Sequence, residues 1–150
     1  MQVQNLKAMS KYNISEKKDK DASYRMQLRP ELVDELYEKI QQKLVFDKKY
    51  RDPDYSARQL AIDLDTNTRY ISAVINLRFQ QNYSCLVNDL RIRDALYLLI
   101  DNRYMDRTIE DIGKMVGFAN RQSFYAAFYR VKGITPKEYR KKQQQDKVKK

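Results

Sequence analysis

The chain has 150 residues, a net charge of +10, a single cysteine (Cys85) and no histidine. One cysteine cannot form an internal disulfide, and a chain without histidine lacks the commonest general base and the commonest zinc ligand. The longest apolar run, residues 95–100, is much shorter than the roughly 20 residues of a membrane helix, so we expect no membrane partner and a cytoplasmic protein. The positive charge is concentrated in residues 1–29 (+4) and 102–150 (+8), as expected of a protein that binds phosphate backbones.

The first elements in chain order are an arm and an amphipathic helix. Residues 1–29 are densely charged and have no hydrophobic period, which predicts a flexible basic N-terminal arm. A helix is predicted over residues 30–49, because Pro30 suits the first helical position. Its apolar stripe repeats at helical spacing and consists of Val33, Leu36, Tyr37, Ile40 and Leu44.

Two shorter helices follow the turn at residues 50–55. Ser56 is a predicted N-cap for a helix that runs to about Leu64, and residues 65–67 form a turn. Asn67 or Thr68 caps a further helix that ends near Leu77. Its inward residues are predicted to be Ile71, Val74 and Ile75, and its outward residues to be Arg69, Tyr70, Ser72, Ala73 and Asn76.

Residues 84–101 form the next predicted helix, and its apolar side chains do not keep to one face. One side carries Leu86, Leu90 and Tyr97, and another carries Ile92, Ala95, Leu96 and Leu99. A helix that is apolar on several sides is typically buried between two bodies. We therefore interpret it as a central linker helix.

Three short helices with two tight connections are predicted between residues 108 and 140. Thr108 caps the first, Glu110 and Asp111 suit its positive end, and Gly117 suits its C-terminal stop. The second starts near Asn120 and ends at Gly133, and its inward residues are predicted to be Phe124, Ala127, Phe128 and Val131. Thr135 and Pro136 begin the third. A helix, a turn with glycine and a second helix form a helix-turn-helix pattern.

The same pattern repeats earlier in the chain, with an offset of 52 residues through the first helix and turn and 53 afterwards. Leu60 then corresponds to Ile112, and the small Ala61 to Gly113, where the two helices are expected to cross closely. The predicted fold is all-α and homeodomain-like, with about seven helices. Its domain, residues 30–141, contains helix-turn-helix subdomains at 56–77 and 108–131 joined by the linker helix 84–101, and a basic tail follows at 142–150.

Three stretches of the sequence resemble the DNA-binding domain of the AraC/XylS family. They are I-x-x-I-G-x-x-V-G-F from Ile109, S-F-Y-x-x-F-Y-R-x-K-G-I-T-P-K-E-Y-R from Ser123, and VNDLRIRDALYLLID from Val87. The resemblance covers about residues 35–141, although Gln80 falls where the family usually carries a glycine. It implies a bacterial transcription regulator with double-stranded DNA and RNA polymerase as partners. Neither a cofactor nor a small-molecule effector site is expected.

In such a motif the second helix enters the major groove and its first residues meet base edges. The two recognition helices would then read successive grooves, about one helical turn or roughly 34 Å apart. We predict base contacts from seven residues: Arg69, Tyr70, Ser72, Ala73, Arg121, Gln122 and Tyr125. Phosphate contacts are predicted from helix N-termini and cations, namely Asn67, Thr68, Asn120, Lys132, Lys137, Arg140 and Lys141. The ring residues Phe118, Phe124, Phe128 and Tyr139 are assigned to the core.

Two other classes of function remain open at this point. An enzyme would need carboxylates, Lys and Tyr alone, and the nearby Asp52, Asp54, Asp63 and Asp65 lack the spacing of a calcium loop. We therefore expect no catalytic residue and no metal. The other class is an architectural or protein-interaction module, either the output domain of a larger regulator or a recombination accessory factor.

Overall fold

The structure is a computed structural model that describes residues 28–148. The predicted N-terminal arm lies outside the described residues except for Leu28 and Arg29. The described part is helical, which confirms the predicted all-α class with about seven helices. The α-helices are α1 (Pro30–Gln41), α2 (Ala57–Asp63), α3 (Thr68–Phe79), α4 (Tyr83–Ile100), α5 (Ile109–Met115), α6 (Arg121–Lys132) and α7 (Pro136–Val148). Among the described residues, no helix is long and apolar enough to cross a membrane.

The described chain divides into two compact units. The first comprises residues 28–40 and 57–81 and contains α1, α2 and α3. The second comprises Gln41–Ser56 and residues 82–148, so it contains α4 to α7 and also a segment that precedes α2 in the sequence.

The helix predicted over residues 30–49 is only partly correct, because α1 ends at Gln41. A π-helical turn follows over Gln42–Phe46, closed by a hydrogen bond of 2.8 Å from the Asp47 amide to the Gln42 carbonyl. Lys48 then adopts a left-handed conformation with a φ of 55°. That backbone reverses the chain and cannot continue an α-helix, and a 3-10 turn over Lys49–Arg51 comes next.

The first compact unit buries the apolar faces predicted for its helices. The rings of Tyr37 in α1 and Phe79 in α3 lie 5.4 Å apart between centroids. Arg78 lies over the Tyr37 ring at 5.2 Å and also pairs with Asp34. The buried residues of this unit are Leu28, Val33, Leu36, Ile40, Leu60, Ala61, Leu64, Ile71, Ala73, Val74 and Ile75.

The core of the second compact unit is a cluster shared by α4, α5 and α6. The Phe124 and Phe128 rings pack edge to face at 5.9 Å, and Phe128 packs on Tyr139 of α7 at 5.6 Å. This confirms the core assignment of the three phenylalanines, and Tyr139 is partly buried against them. The buried members are Ile92, Ala95, Leu99, Ile112, Val116, Phe118, Phe124, Ala127 and Phe128.

Two side chains in the second compact unit differ from prediction. Tyr97 is 69% exposed, because it lies two residues, or about 200° of helical rotation, from the buried Ala95 and Leu99. Val131 is 45% exposed, since it lies in the last turn of α6, beyond the buried residues of that helix. The helix α7 continues to Val148, so residues 142–148 of the basic tail are helical.

Candidate nucleic-acid interface

The turns of the two helix-turn-helix motifs have the same backbone hydrogen bonds. In the first motif, α2 and α3, the Thr66 amide donates to the Ala61 carbonyl at 2.9 Å. In the second motif, α5 and α6, the Phe118 amide donates to the Gly113 carbonyl at 3.0 Å. Asp65 and Gly117, again 52 residues apart, have φ angles of 54° and 114°. The internal repeat is therefore a repeat of backbone conformation.

The helix starts repeat with the offset of 53 residues. Asn67 caps α3 by accepting from the Tyr70 amide at 2.9 Å, and Asn120 caps α6 by accepting from the Ser123 amide at 2.8 Å. The helices after the recognition helices are capped likewise, α4 by Asn82 and α7 by Thr135. Such caps satisfy backbone amides that the helix itself leaves unpaired.

The recognition helices also end alike, although only the second ends in glycine. Gln80 and Gly133 have left-handed φ angles of 57° and 71°, and each donates its amide to the carbonyl four residues earlier. Gln80 thus adopts the conformation that glycine provides in the second motif. The departure from the family pattern at this position changes the residue but keeps the turn.

The two helices of the second motif cross closely, as the sequence predicts. A Cβ atom at Gly113 would lie 2.5 Å from Cδ2 of Phe124, which is buried in the core. Thr108 and Asp111 hold the start of α5 in a reciprocal capping box, with bonds of 3.0 and 3.3 Å. The orientation of α6 against α5 is therefore fixed by close packing and by a capped helix start.

The exposed face of the second motif begins at the first residue of α6. Arg121 and Gln122 are exposed, and Tyr125 is partly buried. The Arg121 guanidinium carbon lies 4.7 Å from the Tyr125 ring centroid, and its Nε lies 3.4 Å from Oε1 of Glu110. A recess of about 240 Å³ lies beside this group, lined by Glu110, Gly113, Lys114, Phe118, Asn120, Arg121 and Phe124. The sequence pattern places Glu110 in the first turn of α5, but nothing in the local pattern predicts its pairing with Arg121.

The exposed face of the first motif contains most, but not all, of the residues predicted there. Arg69 and Ser72 are exposed and Tyr70 is partly buried. Ala73 is only 5% exposed, so the prediction that it faces outward and contacts a thymine methyl is wrong. The buried arc of α3 is wider than the stripe predicted from Ile71, Val74 and Ile75, and it includes this methyl group.

The predicted phosphate contacts fall into two groups. Thr68, Lys132, Lys137 and Lys141 are exposed, and Lys132 lies 5.6 Å from the Tyr139 ring centroid. Asn67 and Asn120 are also exposed, but their side-chain oxygens cap helices, so a phosphate would have to meet their amide nitrogens or the backbone amides of the first turn.

Arg140 requires a correction. Its guanidinium donates to the carbonyls of Leu99 at 3.0 Å, Arg107 at 2.8 Å and Tyr104 at 3.2 Å. Burial lowers the pKa of this guanidinium below its ordinary value, although the group remains a cation. Each of its three nitrogens donates within the protein, so the structure gives Arg140 a structural role that the predicted phosphate contact did not include.

A second internal arginine, Arg91 of α4, holds the segment Gln41–Ser56. Its Nε donates to the Tyr50 carbonyl at 2.7 Å and its Nη2 to the Asp52 carbonyl at 3.2 Å, and its guanidinium lies 5.5 Å from the Phe118 ring. Gly117 is required here as well, because a Cβ atom would lie 2.3 Å from the Tyr50 carbonyl oxygen. The turn of the second motif is thus braced by a segment distant in sequence.

Two capped helix-turn-helix motifs with polar recognition helices place the protein in the class of double helix-turn-helix DNA-binding proteins. A family model described as a helix-turn-helix domain matches residues 60–142, more than half of the chain. The chain belongs to the AraC-type helix-turn-helix family, and it functions in DNA binding and transcription regulation. A search of curated proteins finds no significant match.

Solved structures show the same fold. The C-terminal domain of AraT, a response regulator from Geobacillus stearothermophilus, is 24% identical with a TM-score of 0.61, over 77% of this chain and 88% of that one. The C-terminal domain of the two-component response regulator yesN from Fusobacterium nucleatum is 24% identical with a TM-score of 0.58, over 65% and 92%. A Listeria innocua protein of unknown function is 22% identical with a TM-score of 0.59, over 68% and 94%.

Proposed function

We propose that the protein recognises a specific double-stranded DNA sequence with α3 and α6, each helix entering one of two successive major-groove segments. The observation that carries this proposal is the repeat of turn, cap and helix-end geometry in two motifs whose recognition helices both start with exposed polar residues. In a helix-turn-helix the residues at this position meet base edges. The DNA-binding domain spans residues 30–141.

The second motif offers the clearest base-reading chemistry. The Arg121 guanidinium can bond two acceptors of guanine, and the Gln122 amide can pair with adenine. Tyr125 lies one turn further along α6 and supports Arg121 through its ring. In the first motif Arg69, Tyr70 and Ser72 take this role. Thr68, Lys132, Lys137 and Lys141 are proposed to contact phosphates, together with the amide nitrogens at Asn67 and Asn120.

In this proposal the protein is a regulator without catalytic activity that acts in the cytoplasm. Its partners are double-stranded DNA and RNA polymerase. Family membership supports the non-enzymatic class. Among residues 28–148, no group of three or more Cys, Asp or Glu side chains is placed to hold a metal ion.

Selection of bound duplexes from a random pool tests the proposal. Enrichment of one motif is expected, and affinity for it should fall steeply with salt, since each neutralised phosphate releases counterions. Affinity without any enriched motif would contradict sequence-specific binding and favour an architectural protein. No binding to duplexes at low salt would favour a protein-interaction module.

Competition binding on the selected site then tests Arg121. The variant Arg121→Ala should lose about 1–3 kcal/mol of discrimination at one base pair. The matched control is Arg103→Ala, which removes the same charge from a side chain that is 80% exposed and paired with Asp101 outside the recognition helices. The control should change no base preference. Identical preferences for the Arg121 variant and the wild type would remove Arg121 from the contact set.

A further inference from the structure

We propose that Glu110 is a specificity-determining residue that orients the guanidinium of Arg121 toward a guanine. The proposal rests on the proposed function, because it assumes that α6 reads bases. It adds a residue of α5, which is not the recognition helix, to the set that decides which base pair is preferred.

The geometry places the guanidinium between two groups. Glu110 approaches from α5, with its Oε1 3.4 Å from Nε of Arg121, and the Tyr125 ring lies on another side at 4.7 Å from the guanidinium carbon. The Arg121 side chain is 64% exposed and that of Glu110 is 44% exposed. The pair is therefore accessible to a ligand and is not part of the buried core.

The carboxylate meets the nitrogen that guanine recognition does not need. An arginine that faces guanine end-on uses its two terminal nitrogens for O6 and N7. A carboxylate at Nε leaves both terminal nitrogens available and restricts the rotation of the long side chain. Because an oriented guanidinium loses less conformational freedom when it binds, orientation favours the base that accepts both bonds.

The charge of Glu110 has a second, separate effect on DNA binding. A carboxylate beside a recognition helix repels the phosphates of every DNA sequence, so it weakens non-specific binding. The first motif has neither member of the pair: the offsets of 52 and 53 residues place Arg58 at the position of Glu110 and Thr68 at the position of Arg121. The acid and the arginine therefore occur together in the motif where the contact exists.

Three variants of the full chain test the proposal on the selected duplex and on duplexes with single base-pair changes. Glu110→Gln should raise affinity for unrelated DNA and lower the preference at the base pair read by Arg121 by at least about fivefold, the lower end of what a bidentate pair discriminates. Glu110→Asp keeps the charge but shortens the reach, so it should lower the preference and leave affinity for unrelated DNA unchanged. Asp106→Asn removes a carboxylate elsewhere in the second compact unit and should leave the preference unchanged.

The outcomes separate this proposal from the proposed function. Lost preference in both Glu110 variants, with no further loss when Glu110→Gln is added to Arg121→Ala, supports the positioning role. An equal rise in affinity for all duplexes with unchanged preference would overturn it and leave Glu110 as a general electrostatic residue. If the wild type itself shows no base preference, the proposed function and this inference both fail. Thermal unfolding of each variant checks that the fold is intact.

Discussion

Two arginines of the second compact unit show how surroundings decide the role of a side chain. Arg121 is largely exposed and contacts the Glu110 carboxylate and the Tyr125 ring. Arg140 donates to three carbonyls and is partly buried. The two residues have the same charge and the same donors, but each guanidinium nitrogen of Arg140 already donates to a backbone carbonyl, whereas the Arg121 side chain is 64% exposed.

Substitution of Arg140 should therefore affect folding rather than DNA binding. Arg140→Lys keeps the charge but cannot reach three carbonyls in different directions, so we expect a loss of about 1–3 kcal/mol in the free energy of unfolding. Urea denaturation measures this loss. The salt dependence of DNA binding should not change.

Lys137→Gln is the matched control for Arg140→Lys, because it removes an exposed cation at the start of α7. It should leave the unfolding free energy within about 0.5 kcal/mol of the wild type. The slope of log affinity against log salt concentration should become shallower by roughly 0.9, the contribution of one phosphate contact. The reverse pattern, with Arg140 changing the slope and Lys137 changing stability, would contradict both assignments.

At the scale of the helix, the two recognition helices keep the same left-handed backbone conformation at their ends although the residue differs. Gln80 and Gly133 both close their helix with a left-handed residue. A side chain in this conformation places Cβ near its own backbone, at a cost of roughly 1 kcal/mol. The first motif therefore keeps the turn despite local strain.

Gln80→Gly is expected to relieve this strain, but glycine also adds freedom to the unfolded chain, so the strain appears as a difference between two glycine variants: Gln80→Gly should be more stable than a glycine variant without strain by roughly 1 kcal/mol. The comparison variant is Gln81→Gly at the next residue, because Gln81 is not one of the described residues with a positive φ. It should lower stability, because glycine adds only freedom to the unfolded chain. Equal shifts in the urea midpoint for the two variants would contradict the strain argument.

At the scale of the whole molecule, the compact units are not continuous stretches of the sequence. Gln41–Ser56 precedes the first motif but belongs to the second compact unit. Its Tyr50 hydroxyl donates to Oδ2 of Asp94 at 2.8 Å, and Arg51 pairs with the same carboxylate at 2.7 Å. Together with Arg91, these contacts attach the segment to α4.

The buried Tyr50 and the partly buried Tyr83 are expected to make the stability of this unit fall at alkaline pH. Burial, and then the hydrogen bond to Asp94, raises the pKa of Tyr50 from 10.0 to about 12, and burial raises the pKa of Tyr83 to about 12. Because both pKa values are higher in the folded chain, their stabilisation is complete below pH 10.0 and is lost as the pH rises toward about 12.

Urea unfolding between pH 9 and pH 12 should show this loss as a decrease on the order of 2 kcal/mol for each tyrosine. Tyr50→Phe removes the hydroxyl, so it should be less stable at neutral pH, and its stability should depend less steeply on alkaline pH. Tyr97→Phe is the control, since that ring is 69% exposed, and it should match the wild type. Identical pH profiles for all three proteins would contradict the raised pKa of Tyr50.

Much of the fold could be predicted from local pattern. The N-caps at Thr108 and Asn120, the glycine stops and the buried phenylalanines follow from rules that act over a few residues. The repeat at 52 and 53 residues identified the two motifs for the same reason. A helix end such as Gln41 was harder to predict, because the π-helical turn that follows has no strong local signal.

The sequence by itself determined the class of fold, the two motifs and the helix starts that carry most of the candidate contacts, because caps, turns and hydrophobic periods are short-range properties. Only the tertiary structure decided which polar groups are available. Arg140 meets Leu99 across 41 residues of chain, Ala73 is covered on a wider arc of α3, and Glu110 reaches Arg121 from another helix. These outcomes depend on contacts between residues distant in sequence, which no local period specifies.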